Sequence, residues 1–302
     1  MTKSARAHDK SHFFKFASID SAIQIINSKS FIWSSPVKFN DPFDTQTGFT
    51  LNYNETTFAR MLCESAIRVI YSDIQLEARN STQFAQMLIL MRGIRSKVPK
   101  DKLIADLYLN AIKSAKIFAD TINVFNTIIL EHLLHSRVFC VTEEVNNVVM
   151  WSHYAEQHQG IAFRLGCNDK LDNTLLGAKK INYTKDFAVF PQAEEYALHL
   201  TGEKIINMPL LIQAIAYEKH VDWSYEKEWR VHIPMLDQPA GTGRNLYPEN
   251  PLIFEAIYLG CNIAEENAMK VITLARKELP NMKIYKATRS KIRYELEFEL
   301  ID

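Results

Sequence analysis

Between residues 104 and 133, Ile104, Leu107, Ala111, Ala115, Phe118, Ile122, Phe125, Ile129 and Leu133 recur at steps of three and four. That spacing draws one apolar stripe along a single long α-helix. Pro99 stands just before it, where a helix tolerates proline. Phe58, Met61, Leu62, Ala66 and Val69 predict a helix upstream, and residues 84–91 predict a third. The stripe is read as buried core rather than a partner-binding seam, because most amphipathic helices simply bury their apolar face. Residues 55–135 therefore read as a helical insertion or lobe within one α+β domain running from 12 to 302.

The flanks have strand character. His12–Phe16 reads as a short aromatic strand, and Asp20 as the N-cap of a helix whose apolar face is Ala22, Ile23, Ile25 and Ile26. Phe31-Ile32-Trp33 reads as a buried strand, followed by a turn over Phe39-Asn40-Asp41-Pro42-Phe43-Asp44, where proline disfavours helix at Asp41. Strands are predicted at 137–141, 160–165, 180–183, 229–234, 253–259, 282–285 and 294–300. Helices are predicted over 203–219 and 265–278. The loop Pro239-Ala240-Gly241-Thr242-Gly243 carries a Gly-x-Gly without the strand-then-helix setting of a dinucleotide fingerprint, so it reads as a turn.

Composition narrows the function classes. The 302 residues hold 35 Lys+Arg against 35 Asp+Glu, so a protein that coats nucleic acid by bulk charge is disfavoured, while a local basic groove stays compatible. Cys63, Cys140, Cys167 and Cys261 are too far apart in sequence for a zinc knuckle or a redox pair. His153 and His158 do not have the spacing of a helical zinc site, and no metal is expected. Neither a P-loop nor a Gly-x-Ser-x-Gly elbow is present. The polar start of the chain has no signal-peptide character and no apolar run reaches membrane-spanning length, so a cytoplasmic protein without membrane contact is expected.

The densest chemistry lies in Trp223-Ser224-Tyr225-Glu226-Lys227-Glu228-Trp229-Arg230. If extended, the segment points Glu226, Glu228 and Arg230 to one face, and Tyr225, Lys227 and Trp229 to the other. Two readings stand: an edge strand with an exposed ion-pair ladder, or a charged site. The other tryptophans accompany polar clusters. Trp33 precedes Ser34, Ser35, Asn40 and Asp41, and Trp151 opens Trp151-Ser152-His153-Tyr154. These segments either converge on one aromatic-lined pocket or contribute core residues. His153 suits a ligand contact or, equally, a bridge between core elements.

Together three motifs resemble a bacterial family of unknown function, the one numbered 2971. They are Phe31-x-x-Ser34-x-Pro36-x-x-Phe39-Asn40-Asp41-Pro42-Phe43-Asp44, Met150-Trp151-Ser152-His153-Tyr154-Ala155 with His158-x-Gly160-Ile161, and Tyr225-Glu226-Lys227-Glu228-Trp229-Arg230. Ile257-Tyr258-Leu259-Gly260 adds to the likeness, which spans roughly 13–300 around the helical region. Where that family often has Lys-Tyr-Arg in its first strand, this chain has Lys15-Phe16-Ala17.

The order of strand, helix, strand ending in Ser-x-Pro, then a late Glu-x-Glu strand resembles the ADP-ribosyltransferase fold. That likeness implies a split, mostly antiparallel central sheet and NAD as substrate. It implies a first-strand contact to NAD from His12 or Lys15, a second-strand contact from Ser34 or Ser35, and Glu228 as the catalytic carboxylate. It further implies a nucleic-acid or protein acceptor, and a toxin or phage-defence setting with an antitoxin or chaperone partner. Chemistry supports the same roles. Breaking the nicotinamide–ribose bond builds positive charge on the ribose, which a fixed carboxylate stabilises. Glu226 is then assigned to the acceptor's proton and Trp and Tyr faces to the flat nicotinamide cation. Arg230 is assigned to the pyrophosphate or the glutamates, and Asn40 and Asp41 to a loop over the ribose. The competing expectations are a binding module that senses a nucleotide or nucleic acid without turnover, and a metal-independent hydrolase or nuclease using His153 as a catalytic residue with Asp41 or Glu228.

Overall fold

The computed structural model describes residues 6–45, 48–76, 82–187, 189–233 and 243–301. The first strand, β1 (His12–Ala17), leads into α1 (Ile19–Ser28) and β2 (Ser30–Ser34). Helices α2 (Glu55–Tyr71), α3 (Gln83–Ile94) and the 36-residue α4 (Lys100–His135) follow. Next come β3 (Arg137–Thr142), α5 (Val148–Tyr154), β4 (Ile161–Gly166), β5 (Lys179–Lys180), β6 (Asn182–Thr184), α6 (Ala193–Thr201) and α7 (Met208–Ala216). The chain closes with β7 (Glu218–His220), β8 (Glu228–Ile233), β9 (Arg244–Pro248), β10 (Phe254–Leu259), α8 (Glu265–Glu278), β11 (Lys283–Arg289) and β12 (Leu296–Leu300).

The chain divides into two compact units. One comprises 1–46, 132–185 and 216–302; the other comprises 47–131 and 186–215. The second is helical. Phe58, Leu62, Ala66 and Val69 of α2 pack with Leu88, Leu107, Ala111, Ala115 and Ala197. The stripe read from the sequence is the buried side of α4 at Leu107, Ala111, Ala115, Ile122, Ile129 and Leu133.

The first unit is built on a large, mostly antiparallel sheet in the order β12-β11-β10-β4-β1-β3-β2-β9, with β8 and then β5 added on β3. Among the described residues only β10 and β11 run parallel within it, joined by α8 as a crossover of the kind parallel neighbours require. One face packs Phe13, Phe31, Trp33, Phe139, Phe163 and Ile257 against α1 and α8; Phe14, Phe16, Trp151 and Tyr258 form a core on the other. Two joints in this sheet are slight. β1 meets β3 only at Phe14↔Thr142, and β2 meets β3 only at Ser34↔Val138, whereas β1–β4 and β3–β8 pair along their whole lengths. Between those joints the Cys140 carbonyl accepts from the Lys15 ammonium (2.8 Å).

Local chemistry explains where the sequence expectations shift. Ser18, not Asp20, caps α1: its hydroxyl accepts from Ser21 N–H (3.2 Å) and Asp20 occupies the first turn. The helix expected over 203–219 begins only at Met208 and ends at Ala216, with Lys219 already in β7. The strand expected over 180–183 is interrupted at Ile181, which is buried. Ile32 of β2 is 43% exposed, so that strand is buried on one side only. Most of the 239–243 loop lies outside the described residues. Its last residue, Gly243, has φ +70° and accepts from Ser35 N–H (2.7 Å).

Two motif glycines are fixed by close approach. A Cβ on Gly160 would stand 2.3 Å from the Ala17 carbonyl oxygen, and one on Gly260 2.1 Å from that of His158. Glu156, Gln157 and His158 all have positive φ (46°, 56° and 69°), costly for non-glycine residues. The turn is repaid by contacts: Glu156 accepts from Ile19 N–H at the start of α1 (2.9 Å), and His158 stacks on Trp151.

Candidate functional site

A cavity of about 620 Å³ opens beside the slight joints of the first unit's sheet. Phe14, Lys15 and Phe16 of β1 line it, with Ile32 and Ser34 of β2 and Val138, Cys140, Val141 and Thr142 of β3. Met150, His153 and Tyr154 of α5, Phe39 and Asn40 of the turn, and Trp223 complete the wall. The volume lies in the range of small-molecule and nucleotide sites.

Its floor is a buried charge network. The segment Val221–Glu226 is a 3-10 helix, Lys227 is left-handed (φ 44°), and β8 begins only at Glu228. The strand expected from Trp229 is thus β8, and the conditional extended reading of Trp223–Arg230 fails before Glu228. The turn at Lys227 nevertheless brings Glu226 and Glu228 onto one cation. Lys219 Nζ lies 2.5 Å from Glu226 Oε2, 3.0 Å from Glu228 Oε2 and 3.6 Å from Asp44 Oδ2. It also sits over the Trp223 ring (4.9 Å). Arg230 Nε donates to Glu228 Oε1 (2.6 Å) and Nη2 to Glu228 Oε2 (3.1 Å). The same guanidinium grips both Asp44 oxygens (2.8 and 2.5 Å) and donates to the Ala216 carbonyl (3.2 Å). All five of its N–H groups are thus engaged inside the protein, and Arg230 is 1% exposed. The assignment of Arg230 to a pyrophosphate is corrected on that ground.

The two glutamates are driven apart. Burial raises Glu226 above the usual carboxylate range; Lys219 pulls it back, and the Glu228 carboxylate pushes it up again. Glu228 is also penalised by burial, but Arg230 and then Lys219 outweigh that and hold it well below the usual range. Paired carboxylates with opposed environments are the arrangement that separates an acid/base from a fixed charge. Tyr154 donates to Glu226 Oε1 (2.6 Å) and receives Asn40 Nδ2 (3.4 Å), which links the floor to the rim. Burial, then the Glu226 carboxylate, raises the Tyr154 phenol. Burial likewise raises the Cys140 thiol, which faces Glu228.

The remaining candidates separate into those the cavity gathers and those it does not. Lys15, Ser34, Asn40, His153, Tyr154, Glu226, Glu228 and Arg230 line it. His12 lies away from it, beside Ser11 and Arg164. Trp33 and Trp151, expected as pocket walls, are fully buried: Trp33 stacks on Phe139, and Trp151 donates to the Val145 carbonyl (2.7 Å). Ser35 is buried behind its neighbour, and Asp41 spends a carboxylate oxygen on Phe43 N–H (2.9 Å), an Asx turn that presents Asn40. His153 Nδ1 is 3.3 Å from the Tyr225 hydroxyl.

Two residues of the charge network escaped sequence reasoning. Lys219 looked like the tail of a helix. Asp44 was read as part of a turn, with no sign that it would pair with Arg230 at a separation of 186 residues. The helix α5 was also missed, although Asn147 ahead of Val148-Val149-Met150 carries the cap signal: its side chain accepts from Val149 and Met150 N–H. Among the described residues no group of three His, Cys, Asp or Glu could hold a metal ion, and no helix is long and apolar enough to cross a membrane.

Residues 150–231, from α5 into β8, match the model of a family described as "Protein of unknown function (DUF2971)". The chain is similar to that family over the second and third motifs; the match does not reach the first motif or Gly260. No curated protein and no solved structure matches the chain, so the likeness to the ADP-ribosyltransferase fold has no counterpart among them.

Proposed function

We propose that the first unit is an ADP-ribosyltransferase-like enzyme that transfers ADP-ribose from NAD to a nucleic-acid or protein acceptor. One observation carries the reading: Glu226 and Glu228 share Lys219 at the floor of an aromatic-walled cavity, with their ionisation driven in opposite directions. In such a transfer the ribose C1′–nicotinamide N bond breaks, and its electron pair leaves with neutral nicotinamide. Positive charge grows on the ribose, and an acceptor oxygen or nitrogen forms the new bond to C1′. Glu228, kept ionised by Arg230 and Lys219, is the fixed carboxylate that favours that charge. Glu226, engaged by Tyr154, takes the acceptor's proton. Phe39, Tyr154 and Trp223 offer faces to the nicotinamide cation.

The test is incubation with labelled NAD and a mixture of RNA, DNA and protein. Label should enter one fraction, and Glu228→Gln should abolish the transfer while the far-UV circular dichroism is retained. Absence of NAD binding together with an unchanged cellular effect of Glu228→Gln would sink the proposal.

A second reading, a binding module without turnover, is favoured by a specific observation. Both oxygens of each glutamate and every N–H of Arg230 are engaged within the protein. A nucleotide that raises the unfolding temperature but is recovered unchanged would select it.

A further inference from the structure

The hairpin joining β11 to β12 shows another kind of surface. Ser290 N–H donates to the Glu295 carbonyl (3.1 Å) and closes a tip whose side chains stand in solvent: Tyr294 is 103% exposed and Ile292 85%. Arg289, Lys291 and Arg293 alternate with them. Arg293 reaches Glu295 only at 4.0 Å while 73% exposed, a pair of little energetic weight. Among the described residues Arg289 and Lys291 have no carboxylate partner. Arg289, Ser290, Lys291 and Arg293 line a cavity of about 590 Å³ together with Asn262 and His158. That cavity and the cleft share α5: Val148 lines the first, and Met150, His153 and Tyr154 the second. A helix of seven residues spans roughly 10 Å.

We infer that the β11–β12 hairpin binds single-stranded nucleic acid, with Arg289, Lys291 and Arg293 on its phosphates and Tyr294 stacked on a base. Ile292 and Tyr294 stand uncovered at the tip, interleaved with three cations. Cations interleaved with an aromatic ring supply the two components of single-strand binding: charge for the backbone and a π-face for an unpaired base. A duplex hides its base faces in the stack, so it meets only the cations. An anionic membrane would also meet the cations and Ile292, and the vesicles in the test below separate it from a nucleic-acid strand. The neutral net charge of the chain fits local, brief contact. That the strand is the acceptor of ADP-ribose rests on the function proposed above; that it binds does not.

The experiment is fluorescence anisotropy of the full chain with labelled single-stranded RNA and DNA oligonucleotides, without NAD, at two salt concentrations. A duplex of the same sequence and phosphatidylserine vesicles are run beside them. Single strands should bind at low salt, and Lys291→Glu/Arg293→Glu should weaken binding at least about tenfold and flatten the salt dependence by roughly two contacts. Tyr294→Ala should weaken it by about tenfold without changing the salt slope. Equal unfolding temperatures would show that the tip variants fold. The proposal is overturned by wild-type protein that binds no single strand at low salt, by a charge-reversed tip that binds as well as wild type, by duplex bound as tightly as single strand, or by vesicles bound in place of oligonucleotide. Single-strand binding would sustain this inference even where the separate labelled-NAD incubation shows no transfer, so the two proposals fail independently.

Discussion

The floor of the cleft and the tip of the β11–β12 hairpin handle charge in opposite ways. At the floor, Asp44, Lys219, Glu226, Glu228 and Arg230 are all at or below 6% exposure, and each is held by the others. At the tip, Arg289, Lys291 and Arg293 are exposed and barely paired. Buried charges are costly to remove one at a time, because the partner left behind is desolvated and unanswered. Exposed charges are nearly free to remove, and their worth appears only when a partner arrives. Stability and binding should therefore respond at different ends of the same unit.

The sharpest break is Arg230→Met. It strands Asp44 and Glu228 in the interior and should cost about 4 kcal/mol in urea denaturation, within the range for halving a buried ion pair. Lys219→Met should cost about 3 kcal/mol by the same cause. Adding Glu226→Gln should recover part of that loss, because it deletes one of the carboxylates that Lys219 answers; a strictly additive double variant would show that the network is not coupled.

His232 of β8 gives the next effect. Burial first, and then Arg230, pushes it down to about 4 from an ordinary 6.5. The unfolded chain then binds more protons than the folded one between pH 6.5 and 4, so stability falls as pH drops through that window. The loss should be about 3 kcal/mol, and His232→Gln should flatten the slope there. Glu226 works against this trend. Its raised folded value means the native state holds the proton longer, so its own contribution declines as pH rises above the normal glutamate range. The smallest effect is expected at the tip, where Lys291→Glu/Arg293→Glu should leave stability within about 0.5 kcal/mol while changing oligonucleotide binding. A large destabilisation there would erase the contrast.

What the sequence made legible follows range. The stripe of α4 and the amphipathic α8 repeat every turn, so their periods survive any tertiary context. The strands bearing Phe139, Phe163 and Ile257 announced themselves by apolar, β-prone composition. Glu226 and Glu228 stood out because they are two residues apart, and they do share a cation, though through a 3-10 turn and a left-handed Lys227 rather than an alternating strand. Lys219 and Asp44 were invisible for the opposite reason: nothing local marks a lysine or aspartate whose partners come from other elements. Tryptophan misled. Trp33 and Trp151 travel with polar motifs because strand ends and helix starts lie beside the cleft, while their own rings fill the core. The helical unit's core was readable, but its composition carries no chemistry from which to argue a function.

The slight joints of β3 bear on how the sheet moves. A strand fastened to its neighbours at Phe14↔Thr142 and Ser34↔Val138, and firmly only to β8, makes the sheet a set of stiff panels with seams rather than one plate. The ammonium of Lys15 bridges those panels, and it lines the cleft. A molecule seated there would stiffen the seam directly, with the amides nearest it slowing most in hydrogen exchange.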